Sequence, residues 1–215
     1  LSRLSADGRG AGRARLSGEA TLDGRTLAAL SVSGQVTGPE GARAAVPLGP
    51  RETLRLAGGR VSATLDGDAG RWDVATRLDA PTVAGVAAAA LRLVGDGTLT
   101  SGGATPLPRA AARRIALTAE GLDAGDPDLA PALGDRLSLA TRLDYGAERG
   151  LALSDLELGA DAARLAGEIA LAPPFAAPAA QFDLALETGP LGRFSGIAGR
   201  ALGGRATATL TGERP

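Results

Sequence analysis

Two groups of carboxylates are the residues of this chain best suited to chemistry. Asp123, Asp126, Asp128 and Asp135 fall in one short stretch, and Asp155 and Glu157 stand two apart. Paired carboxylates can hydrolyse a glycosidic bond, one as acid and the other as base or nucleophile, and clustered ones can hold calcium through oxygen. The remaining catalytic repertoire is missing. The chain has no His, Cys, Met, Lys or Asn, which rules out a Ser-His-Asp triad, thiol nucleophiles, thiolate or imidazole metal sites, Schiff-base lysines and phosphate-loop lysines. The carboxylates also have plainer uses. Asp126-Pro127 spells a helix cap followed by a first-turn proline. Asp155 and Glu157 share the wet face of one predicted strand. The expectation is a protein that is not an enzyme and carries no cofactor and no metal.

The elements that would position any site are strands. Val61, Ala63 and Leu65 alternate with Ser62, Thr64 and Asp66; Leu137, Leu139, Thr141 and Leu143 with Ser138, Ala140, Arg142 and Asp144; Phe182, Leu184 and Leu186 with Asp183, Ala185 and Glu187. Successive side chains on a strand point to opposite faces, so this period of two writes one greasy and one wet face. At 215 residues and 44% hydrophobic, the chain can bury a sizeable core and is not a disordered tail. Aromatics are only 2%, namely Trp72, Tyr145, Phe175, Phe182 and Phe194, so burial must come from Leu, Ala, Val and Ile. A net charge of -1 gives no electrostatic case for nucleic acid. Arg109, Arg113 and Arg114 form the one local basic cluster and read as a solvated loop.

No apolar run reaches the ~18 residues of a membrane-spanning helix. The chain opens at Leu1 and closes at Arg214-Pro215, which reads as a piece of a longer protein. Asp-Gly recurs at Asp7-Gly8, Asp23-Gly24, Asp66-Gly67 and Asp96-Gly97 as a hairpin signal. Between turns the better strand candidates are 14–22, 30–37, 60–66, 71–79, 90–99, 115–121, 136–145, 150–158, 163–171, 181–188 and 205–211. Short links make them antiparallel neighbours, a meander. "ATLDG" at 20–24 and 63–67, "ATLTG" at 208–212 and "ATRLD" at 75–79 and 140–144 reuse one idea without a constant period. Two short helices interrupt the strands. One spans Pro127 to Leu133 with Gly134 as a left-handed cap; the other runs from Pro190 to about Leu202 and is stopped by Gly203-Gly204. The whole chain, 1–215, reads as one fragment of a repeat-like β-domain, with 101–113 as the place for an internal boundary.

A one-sided sheet must cover its apolar face. A sandwich draws on larger side chains to fill its interior. An outer-membrane barrel needs two aromatic girdles, which five aromatics cannot build. A parallel solenoid needs regular rungs. The remaining architecture is all-β: a curled, open, mostly antiparallel sheet, a half-pipe or β-taco, with an apolar groove and one or two short helices. Leu and Ala give smooth walls, and Gly permits curvature.

At this point a family resemblance enters. "PLGRFSGIAGRALGGRATATLTG" (190–212) resembles a recurrent element of the translocation and assembly module TamB family: a short helix, a small-residue hinge, then a strand ending in Gly. "ALGDRLSLATRLDYGAERGLALSDLELGADAARLAGEIAL" (132–171) resembles that family's strand-turn-strand units. The resemblance implies a middle fragment of a periplasmic β-structure, related to AsmA-like and bridge-like lipid-transfer proteins. Such a protein is anchored in the inner membrane of a Gram-negative bacterium by a helix outside this fragment. It would move phospholipid between inner and outer membranes through an apolar groove and assist outer-membrane protein assembly with an Omp85-type β-barrel partner. Its ligands would be phospholipid acyl chains.

The expected groove lining is Leu137, Leu139, Leu143, Leu165, Ile169, Leu171, Phe182, Leu184 and Leu186. The competing reading of the same residues is a closed dry core. The competing function is a structural or adhesive secreted β-solenoid.

Overall fold

The computed structural model describes residues 2–9, 12–23, 26–39, 42–47, 52–100, 109–146, 150–172 and 179–214. Its strands are β1 (Ser2–Arg9), β2 (Arg13–Asp23), β3 (Thr26–Thr37), β4 (Ala44–Pro47), β5 (Thr53–Leu56), β6 (Gly58–Asp66), β7 (Arg71–Asp79), β8 (Thr82–Val83), β9 (Val86–Ala87), β10 (Ala90–Thr100), β11 (Arg109–Glu120), β12 (Arg136–Gly146), β13 (Gly150–Ala160), β14 (Ala163–Ala172), β15 (Ala179–Thr188) and β16 (Thr207–Arg214). Twelve of them form one open sheet in the order β1-β2-β3-β6-β7-β10-β11-β12-β13-β14-β15-β16. Every described pair is antiparallel and every neighbour in the large sheet is the next long strand in the chain. The fold is therefore the curled, open meander that the alternation predicts, neither a closed barrel nor a coil of parallel rungs. At ~4.8 Å per strand the sheet extends about 50 Å across its strands.

The described insertions fall at one set of strand ends, which we call the base. β4, β5, β8 and β9 make a small second sheet there. Helix α1 (Ala130–Leu133) follows β11, and a 3-10 turn (Leu191–Phe194) running into helix α2 (Ser195–Ala198) follows β15. Backbone hydrogen bonds stitch these pieces to one another and to the sheet: Ala57 N to Asp79 O at 2.9 Å, Ala87 N to Asp123 O at 2.8 Å, Ala89 N to Glu120 O at 2.8 Å and Gly189 N to Ala162 O at 2.8 Å. The best-buried apolar side chains gather at the base. Leu56 is 1% exposed, and Ala44, Ala124, Ala132 and Ala162 are buried with it. The small sheet has no counterpart in the sequence reading, because strands of two to four residues carry no periodicity.

Two strands carry bulges. β11 has an extra residue at Arg113/Arg114 against both of its neighbours, β10 and β12, and β13 has one at Ser154/Asp155 against both of its neighbours, β12 and β14. Bulges bend the strand that carries them and raise its twist, so the two together crease this part of the sheet. Ala112 and Leu156 are buried at this crease. Thr141, a buried polar residue on the apolar side, donates its hydroxyl to Ser154 O at 3.1 Å. That bond removes the cost of hiding it.

Several sequence expectations need correction. Arg113 and Arg114 lie in β11, exposed at its bulge, and not in a loop; Arg109 opens the same strand. Of the interval 101–113, residues 101–108 lie outside the described residues, while 109–112 pair with β10 and Arg113 is the bulged residue. Asp7-Gly8 and Asp96-Gly97 sit inside strands β1 and β10. Gly97 serves close approach instead of a turn: a Cβ there would lie 2.7 Å from Trp72 Cζ2. Asp66-Gly67 does open a turn, and its carboxylate Oδ1 accepts from Ala69 N at 3.0 Å. Gly24 lies outside the described residues. Helix α1 starts at Ala130, after an Asp126 turn in which Oδ1 accepts from Asp128 N at 2.9 Å. Gly134 has φ 69 but ψ -158, so it is not a left-handed cap. Helix α2 ends at Ala198, capped by left-handed Gly199 well before Gly203-Gly204.

Candidate functional site

Lateral register places the apolar residues in rows that cross the sheet. One runs Leu16, Gly34, Val61, Thr76, Leu93, Leu117, Leu139, Leu158, Leu165, Leu186 and Ala208, one residue from each strand from β2 to β16. A parallel row runs Ala20, Leu30, Leu65, Trp72, Gly97, Ala112, Leu143, Leu153, Ile169, Phe182 and Gly212. Each strand contributes because its apolar residues recur every second position and the hairpins keep them in step. Among 22 positions in the two rows, Thr76 is the one polar residue.

The nine lining residues fall together on this face. Leu139, Leu165 and Leu186 belong to the first row; Leu143, Ile169 and Phe182 to the second. Leu137 lies beside Ala119 and Ala160, Leu171 beside Leu151 and Ala180, and Leu184 beside Gly167 and Leu210. The sequence reading did not extend the lining to β2–β10, although Leu16, Val61 and Leu93 carry the same period.

At two places a large residue faces a glycine on the neighbouring strand. A Cβ at Gly212 would lie 2.5 Å from Phe182 Cζ, and one at Gly34 would lie 2.8 Å from Val61 Cγ1. Each ring or branched chain thus lies over its neighbour's glycine and shields that backbone, the role aromatic side chains take over strand glycines elsewhere. This lets a sheet whose described strands hold three aromatics, Trp72, Tyr145 and Phe182, cover part of its own surface. The cover is incomplete. Most of the face is half-buried, and Leu16 (43%), Leu210 (59%), Leu186 (37%) and Val61 (37%) are exposed. A face sealed beneath a second layer would leave such side chains inaccessible.

The opposite face is polar and pinned by ion pairs: Glu120 with Arg136 at 3.0 Å, Arg142 with Asp155 at 3.0 Å, and Glu157 with Arg164 at 2.9 Å. All are largely exposed, so each contributes about 0–1 kcal/mol. Hollows open on this side. One of about 800 Å³ lies over the base ends of β13–β16, lined by Glu157, Arg164, Glu187 and Arg205 among others. Another of about 560 Å³ lies over β2–β10.

The carboxylates have structural employment. Asp155 and Glu157 each engage a different arginine. Asp123 Oδ1 accepts from Gly125 N at 2.9 Å and Asp126 Oδ1 closes the turn before α1. Among the described residues no three acidic groups converge as a metal cage would require.

No protein-family model matches the chain, and no curated protein and no solved structure is significantly similar to it. What can be said of its function therefore rests on the two faces themselves. Among the described residues, no helix is long and apolar enough to cross a membrane.

Proposed function

We propose that this chain is one section of a phospholipid conduit of the TamB type, periplasmic and anchored to the inner membrane by a segment outside it. The observation that carries the proposal is the pair of apolar rows, continuous over eleven strands and left half-open by the chain. An acyl chain gains about 0.8 kcal/mol per methylene on leaving water, nearly the same against such a wall as in a bilayer. Continuity therefore matters more than depth: a tail can slide from Leu139 to Leu165 to Leu186 without a trap or a barrier. The partners in this reading are acyl chains along the face and an Omp85-type outer-membrane barrel. Their support is the resemblance in 132–171 and 190–212. A secreted solenoid with a filled interior fits less well, since the strands are antiparallel and their apolar side chains remain accessible.

Two experiments test the proposal. A photo-crosslinking residue at Leu139, Leu171 or Leu184 should yield lipid adducts, and native mass spectrometry should find co-purified phospholipid. The controls are Arg142 and Asp183, both exposed on the polar face. Equal adduct yield on the two faces would sink the conduit. Leu184→Arg places an unpaired charge in the lining, at a cost that blocks a sliding tail. It should abolish lipid transfer with far-UV circular dichroism nearly unchanged; global unfolding instead would favour a dry core.

A further inference from the structure

We propose that the polar face over β3–β10 is a binding site for multiply charged phosphate groups, separate from the apolar rows and independent of the conduit reading. Arg60, Arg77 and Arg92 stand directly abreast on β6, β7 and β10, Arg60 opposite Arg77 and Arg77 opposite Arg92. Gln35 extends the line onto β3, opposite Arg60. Neighbouring strands lie ~4.8 Å apart, so three guanidinium stems rise within roughly 10 Å. Like charges directly opposite one another destabilise a sheet. Elsewhere on this face three arginines are answered by carboxylates: Arg136 by Glu120, Arg142 by Asp155 and Arg164 by Glu157. In the row only Arg77 has a carboxylate, Asp79 at 3.1 Å, while Arg60 and Arg92 have none within ion-pair distance among the described residues.

The row walls the hollow of about 560 Å³, and the hydroxyls of Ser33 and Ser62 line its floor. Guanidinium groups grip phosphate through two parallel N–H···O bonds, and hydroxyls add donors. Closely spaced forks around a hydroxyl floor suit a compact polyanion, and its charge would relieve the repulsion along the row. The common chemistry is the phosphate group, whether on a soluble phosphorylated compound or on an anionic lipid headgroup.

The test uses the full chain at low salt with inorganic tripolyphosphate, and vesicles of phosphatidylglycerol or phosphatidylcholine, as probes. Tripolyphosphate should bind and raise the melting temperature. The double variant Arg60→Ala/Arg92→Ala should weaken binding at least about 10-fold, as loss of charge-assisted bonds implies. Without probe, the same variant should melt no lower than the parent, because it removes like-charge contacts. Arg136→Ala and Arg164→Ala, on the same face but outside the hollow's arginine row, should bind as the parent does. Phosphatidylglycerol-selective sedimentation lost in the double variant would assign the headgroup; tripolyphosphate binding without it would assign a soluble compound; both outcomes uphold the site. Binding of neither probe, or binding that the double variant leaves intact, overturns it.

Discussion

The crease through β10–β13 and the margin at β15–β16 are written in the same alternating code yet end in different states. At the crease Leu156 is 8% exposed and Ala112 is 3%. At the margin, three strands further on, Leu210 is 59% exposed. The residue types do not separate them. Geometry does: the bulges in β11 and β13 bend the crease so that neighbouring side chains converge, whereas β14, β15 and β16 pair without a slip and β16, the last strand, has a neighbour on one side only. Burial in this molecule follows place in the sheet as well as residue type.

Substitutions can break or sharpen that contrast. Leu156→Ala should have the largest effect, about 2–4 kcal/mol in urea denaturation, because a converged site leaves a cavity when truncated. Asp155 tests the bulge itself. It holds φ 49, a left-handed conformation that costs a residue with a Cβ about 1 kcal/mol relative to glycine. Asp155→Ala should therefore be about 1 kcal/mol less stable than Asp155→Gly, both having lost the exposed pair with Arg142. Leu210→Ala should be smallest, below about 1 kcal/mol, since the side chain is already in water. Equal losses at Leu156 and Leu210 would show that the two regions do not differ as described.

The long strands and the shared face of the lining were legible because both depend on local periodicity. Leu137, Leu139 and Leu143 needed only each other to declare a face. Features requiring knowledge of a neighbour were not legible. The bulge at Arg113 and Arg114 exists because two residues oppose Arg142, which no local pattern announces. β1 was hidden because Asp7-Gly8 reads as a turn yet pairs with Arg15 and Ala14. The second helix was expected to be longer because Leu191, Phe194, Ala198 and Ala201 keep helical spacing past the point where Gly199 turns left-handed. The arginine row is invisible along the chain, one residue per strand. A usable signal did exist: Arg60 and Arg77 stand equally far from the 67–70 turn, and a hairpin must bring such residues abreast.

The base also has a mechanical consequence. The small sheet, α1 and the segment through α2 bind one long margin of the molecule as a spine binds pages. A guest lying along the apolar rows should therefore leave the strand order and the alignment of the rows unchanged at this margin, whatever its length.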